Sequence, residues 1–220
     1  MEKAGRIRDY KQKWIRISLY ILGLFILALG LTINTKCGLG TSPIISVAYT
    51  IHRVTSYDLG NVIFVQYTVF VLLQLWLKKD WRNIKVWLQL PLSLVFTRVM
   101  NGISALITVG TDSLNTKITL LTIAIICTGI GAALSVNMRM VANPGDGIVS
   151  VIADVSGKKM GTVKNIVDIA CVLCSIMIAI IFHCNEGGVG IGTFCAMIGV
   201  GRVIAVFNRI CGKQLECIIA

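Results

Sequence analysis

Three ionisable side chains stand inside long apolar stretches of the chain: Arg98, Arg202 and Asp168. A charge held near the centre of a bilayer costs at least about 2.5 kcal/mol unless it is paired or hydrated, so each is expected to face the protein interior. Two chemistries suit the arginines. They can close on an anion as a pair, or each can meet a buried carboxylate such as Asp58, Asp154 or Asp168 and hold helices together. Asp168 is a candidate ion-coupling group for a proton or sodium; its plainer role is as partner to an arginine or to the Asn101 amide. Its counterpart in the first half of the chain is Tyr67, beside Gln66.

Two Gly/Pro-rich breaks supply the other candidates, Gly38-Leu39-Gly40-Thr41-Ser42-Pro43 and Asn143-Pro144-Gly145-Asp146-Gly147. Glycine admits dihedrals that other residues avoid, proline lacks the N–H, and Thr41, Ser42 and Asp146 are good helix caps. Each break should therefore open a helix whose N-terminus lies at membrane depth, where unwound backbone survives only if buried or facing a wet cavity. Free N–H groups and the positive end of the helix dipole favour an anionic group there. The competing reading is that Ser42 and Asp146 cap their own helices; Asp146 would also repel an anion and attract a cation or proton. The candidate substrate-binding residues are Arg98, Arg202, Gly40, Thr41, Ser42, Asn143, Gly145 and Asp146.

The elements that must position these residues follow from composition. The chain has 220 residues, of which 55% are hydrophobic and 14% charged, with a mean hydropathy of +0.81. Soluble domains of this size do not have that balance. Long apolar runs without short alternation exclude an outer-membrane barrel and leave an all-α, polytopic membrane protein. Hydropathy and breakers predict six crossings at residues 15–35, 59–77, 86–109, 118–138, 162–182 and 188–208, with two re-entrant half-helices at 43–54 and 147–155, too short to cross. The net charge of +11 is carried by basic clusters beside the apolar runs, a topology signal rather than a sign of nucleic acid. Lys3, Arg6, Arg8, Lys11, Lys13, Arg16, Lys78, Lys79, Arg82, Lys85, Arg139, Lys158, Lys159, Lys164, Arg209 and Lys213 fall on one side, which makes both termini cytoplasmic. The run after Trp14 is too long for a cleaved signal peptide.

The chain also matches itself at an offset of about 104 residues. Leu31-Thr32-Ile33-Asn34-Thr35-Lys36 recurs as Leu134-Ser135-Val136-Asn137-Met138-Arg139, Pro43-Ile44-Ile45-Ser46-Val47 as Gly147-Ile148-Val149-Ser150-Val151, and Thr97-Arg98-Val99 as Gly201-Arg202-Val203. Repeat one covers residues 15–110 and repeat two 118–209, between a cytoplasmic N-terminus at 1–14 and a C-terminus at 210–220. With three crossings each, the repeats have inverted topology. That is an architecture of secondary transporters, whose sites lie near the midplane between the repeats. An old duplication kept as a scaffold is the alternative.

Other residues carry less. Lys36 and Arg139 suit ordinary interfacial cations. The eight cysteines are scattered and suit apolar fillers, and Cys171-Val172-Leu173-Cys174 lacks thioredoxin-like surroundings. Cys217-Ile218-Ile219-Ala220 fits a prenylation box that matters only in a eukaryote. His52 and His183 have no ligand spacing, so no metal and no cofactor is expected. Gly187, Gly188, Gly190, Gly192, Gly199 and Gly201 suggest a close-packing or sliding stripe on span six. No hydrolase, zincin or phosphate-loop motif is present, so an enzyme is not expected.

The two breaks, together with Gly157-Lys158-Lys159-Met160-Gly161-Thr162-Val163-Lys164-Asn165-Ile166, resemble the YczE/YitT-like group of bacterial multispan inner-membrane proteins. The resemblance implies a helical fold in the bacterial plasma membrane and no catalytic residues. The expected function is a small secondary transporter of a small anionic solute; the rival is a non-transporting membrane scaffold or accessory protein. Expected partners are the lipid bilayer and that solute, with a homodimer as the candidate assembly and no nucleic acid.

Overall fold

The computed structural model describes residues 2–108, 113–184 and 187–219, and side chains within residues 12–216 of that set. Among the described residues every regular element is a helix: α1 (Glu2–Lys36), α2 (Pro43–Thr55), α3 (Leu59–Lys78), α4 (Ile84–Trp87), α5 (Gln89–Leu106), α6 (Leu114–Asn137), α7 (Pro144–Ser156), α8 (Met160–Ile181) and α9 (Ile191–Ile219). Five segments are long and apolar enough to cross a membrane: Gln12–Lys36, Leu59–Lys78, Leu114–Asn137, Met160–Ile181 and Ile191–Glu216. The protein is an all-helical membrane protein.

The expected third span at 86–109 is broken into α4 and α5. Pro91 explains the break: its ring collides with the carbonyl four residues back, on Trp87, and it has no N–H to donate. Helix α5 carries Gln89, Arg98 and Asn101 and is not among the five apolar segments. At its far end the Lys36 ammonium donates 2.8 Å to the Ile107 carbonyl, a cation at a helix C-terminus. The expected last span begins at Ile191 rather than 188, because residues 187–190 form a turn.

Helices α2 and α7 are 13 residues each and start with proline. At 1.5 Å per residue they reach about 20 Å, short of the roughly 30 Å hydrocarbon core. Both end on a left-handed residue, Ser56 (φ 58°) and Gly157 (φ 66°), a conformation that stops a helix by turning its last carbonyls.

The packing exchanges partners between the two halves. Helix α2 lies chiefly on α8, α7 chiefly on α3, and α1 on α6. The α1–α6 contact is close because glycines allow it. A Cβ on Gly30 would stand 2.5 Å from the Thr128 backbone nitrogen, and one on Gly131 2.3 Å from that of Leu27, which is the small-residue packing that membrane helices use. The largest core cluster joins Leu27, Leu31, Ile45, Ile63, Tyr67, Phe96 and Met100.

Candidate functional site

The short helices α2 and α7 meet near their N-terminal tips: a Cβ on Gly145 would stand 2.9 Å from Ile44 Cδ1. Around this meeting point lies a partly open cavity of ≈ 60 Å³ whose polar lining is Ser42, Tyr67, Thr128, Asn143, Asp146, Lys164 and Asp168. That volume admits a few water molecules or a small polar group, taking roughly 15 Å³ per water centre. Leu27, Leu31, Ala196, Met197, Val200 and Ile204 form its apolar wall.

Each polar group is placed by its helix. Asp168 is 1% exposed on α8, and the Lys164 ammonium spans both carboxylate oxygens at 3.2 and 3.1 Å. Lysine four residues before an acid is the less favourable order along a helix dipole, so helix stability alone does not account for the pair. Burial does: a carboxylate this enclosed needs a cation. Asp146 sits in the first turn of α7, where the dipole favours an acid, and Lys164 and Asp168 are the charges that face it. The Asn143 side chain accepts from the Gly145 N–H at 3.0 Å and also interacts with the Tyr67 phenol. Ser42 makes no side-chain capping bond to α2. One tip is thus capped and acidic, the other neutral and uncapped.

Of the residues expected at a site, Ser42, Asn143, Gly145, Asp146 and Asp168 come together here. Gly40 and Thr41 do not; they border a separate cavity against residues 187–191. Thr41 donates to the Gly188 carbonyl from its N–H at 2.9 Å and from its Oγ1 at 3.0 Å, so its polar atoms serve the packing of the break. The two arginines turn away from the interior, against expectation, and both are exposed on the bundle surface. Arg98 donates to Asn61 Oδ1 at 2.8 Å, and Arg202 has no hydrogen-bonding or ionic partner among the described residues. Neither pairs with an acid: Asp168 takes Lys164, Asp154 takes Lys78 at 3.3 Å, and Asp58 takes Asn101 at 2.7 Å. The glycine stripe is also redistributed. Gly188, Gly190 and Gly192 pack their turn against α2 and the first break, and Gly199 packs on Ile125 of α6. Cys217 and Ala220 fall outside the described side chains.

Sequence reasoning missed Lys164 as a site residue, although its four-residue spacing from Asp168 was readable. It also missed two buried polar clamps. Gln74 and Gln89 exchange amide hydrogen bonds at 3.0 and 2.9 Å, and Gln74 reaches the Pro144 carbonyl at 3.4 Å, which fixes α7 against α3 and α5. Thr50 and Ser175 share a 2.7 Å bond, Ser175 donates 3.1 Å to the Ser46 carbonyl, and the Gly188 N–H donates 2.8 Å to Thr50, which fixes α2 against α8.

The match that assigns a family covers residues 14–209, every helix of this architecture. The chain belongs to DUF6198, a family of unknown function. Within reach of this DUF6198 chain is an uncharacterized protein of Haemophilus influenzae, 24% identical over 199 residues, which are 90% of this chain and 85% of that protein. No solved structure matches it.

Proposed function

We infer that the protein is a small secondary transporter of the bacterial plasma membrane, with its solute site in the cavity between the tips of α2 and α7. In this reading α5 is the sixth crossing, α2 and α7 are re-entrant, and the halves are inverted repeats with both termini cytoplasmic. The exchanged packing of α2 on α8 and of α7 on α3 supports the repeat, since a two-fold relation in the membrane plane requires such reciprocity. The observation that carries the proposal is the Asp146, Lys164 and Asp168 cluster beside two helix N-termini, in which Asp168 is buried and Lys164 and Asp146 are partly exposed, because ionisable groups at membrane depth are costly and mark solute or proton paths.

Charge balance sharpens the mechanism. With both carboxylates ionised the cluster carries one excess negative charge, and a bare monovalent anion would make it two, and a divalent one three, beside the buried Asp168. An anion at Lys164 and the uncapped α2 terminus therefore brings a proton with it, and Asp146 is the group to carry that proton, since Asp168 already shares its charge with Lys164. The transporter is then a proton–anion symporter. Reconstituted vesicles with an internal pH dye test this with nitrate, sulfate and phosphate, which do not leak as neutral acids. Anion-dependent acidification that Asp146→Asn abolishes is expected; no anion-dependent proton movement from any of the three defeats the symport reading.

One observation favours the scaffold alternative. Arg202 is exposed near the middle of α9 without a partner among the described residues, and a lipid-facing guanidinium is costly. A second copy or another membrane protein covering α9 would relieve that cost.

A further inference from the structure

Between α2, α3, α7 and α8 lies an apolar groove of ≈ 640 Å³ that shares no lining residue with the central cavity. Helices α3 and α8 form its walls and do not pack substantially on each other; α2 and α7 lie between them. The α3 wall runs from Asn61 through Val65 and Val69 to Leu73, about 18 Å at helical rise, slightly more than the roughly 15 Å of one bilayer leaflet. Val65 is 61% exposed and Val69 48%, so the groove opens outward along a face that the apolar segments turn to the membrane.

Polar groups gather at one end. Asn61 lines the groove and accepts the Arg98 hydrogen bond, and Tyr57, 69% exposed, closes that end, at the depth where aromatic residues with a polar tip mark a membrane interface. Asp58 stands nearby and keeps its negative charge: its Oδ1 accepts from the neutral Asn61 N–H at 2.9 Å and from the Asn101 amide at 2.7 Å, so a phosphate at Arg98 must bind on the side of the guanidinium away from it. Arg98 keeps further N–H donors beyond its bond to Asn61, and a guanidinium binds phosphate well.

We propose that this groove is a lipid site: one acyl chain of an anionic phospholipid lies along α3, with its phosphate at Arg98. The site accounts for an arginine that the central cavity does not use, and it stands independently of the transport reading. The purified protein in mild detergent is titrated with phosphatidylglycerol or with phosphatidylcholine of the same chain length, and bound lipid is counted by native mass spectrometry. One phosphatidylglycerol per chain is expected to bind about tenfold more tightly than phosphatidylcholine, the size of one charge-assisted contact. Arg98→Gln should remove that preference while one lipid is still retained, and Val69→Trp, which fills the groove from an exposed wall, should remove retention of both lipids. Cys174→Phe, on the α8 wall, repeats the block should the tryptophan variant unfold at a lower temperature than wild type. Equal retention of the two lipids by wild type, or unchanged retention after both blocks, would overturn the site. A dimer mass that lipid fails to dissociate and that the blocks abolish would overturn it in favour of a second copy of the chain.

Discussion

The two breaks end long helices at equivalent places and open 13-residue helices with proline, yet they are held by different means. At the first, backbone meets backbone directly: Thr41 N–H bonds Gly188 O at 2.9 Å and Gly192 N–H bonds Leu39 O at 2.7 Å, with the Thr41 and Thr50 hydroxyls adding side-chain bonds to Gly188. Gly40 adopts φ 103°, and a Cβ there would stand 2.5 Å from the Gly190 nitrogen. At the second, side chains hold backbone. Arg16 donates to Met138 O at 3.1 Å, Tyr20 to Val141 O at 2.7 Å, Asn143 caps α7, and Gln74 reaches Pro144 O. A backbone-held break tolerates no added atom, whereas a side-chain-held break depends on several separable bonds. The second break is also the one that carries charge into the cavity, through Asp146.

The largest effect expected is on the charge that distinguishes the second break. Lys164→Met leaves Asp168 buried beside Asp146 without its cation, at a cost of roughly 3 to 5 kcal/mol. Thermal unfolding in detergent should show that loss, and Lys164→Met with Asp168→Leu should recover most of it. A double variant no more stable than the single one would mean that Asp168 is held by something other than Lys164.

Next comes the backbone-held break. Gly40→Ala combines a left-handed φ with overpacking against the 187–190 turn and should cost about 3 kcal/mol. The same readout on Tyr20→Phe, which removes one bond from the side-chain-held break, should register about 1 kcal/mol. Equal losses from these two substitutions would erase the contrast.

The smallest effects test the caps. Asn143→Ala should cost about 1 kcal/mol through the lost capping bond, while Ser42→Ala, with no such bond to lose, should stay within about 0.5 kcal/mol. Ser42→Ala should instead show itself in anion-dependent proton uptake, if the uncapped α2 terminus receives the anion. A stability loss at Ser42 as large as at Asn143 would make the two tips alike.

Much of this arrangement was readable residue by residue. Pro43 marked the start of the first short helix, whereas the second was expected from 147 and begins at Pro144, because Asn143 rather than Asp146 caps it. Pro91 was equally readable as an interruption, but the surrounding apolar run masked it. The site was legible in part. Ser42, Asn143, Gly145, Asp146 and Asp168 line the cavity because each is at or one helix turn from a feature that the sequence marks as exceptional, a break or a lone acid. Gly40 and Thr41 share the same break and face elsewhere, since consecutive residues of an unwound segment point in unrelated directions.

The sequence by itself determined that the protein is helical and apolar, roughly where most of its long helices run and where the first short one begins, because hydropathy and helix breaking act over neighbouring residues. Only the tertiary structure decided that Lys164, rather than Arg98 or Arg202, accompanies Asp168, that the arginines lie on the surface, and that the glycines after 187 seat a turn on the first break. The reason is angular. Successive residues of a helix point about 100° apart, so the face a side chain presents depends on how the helix is rotated against its neighbours. In a chain whose spans are apolar all round, the hydropathy pattern does not set that rotation; close contacts such as Gly30 on Thr128 and Gly145 on Ile44 do.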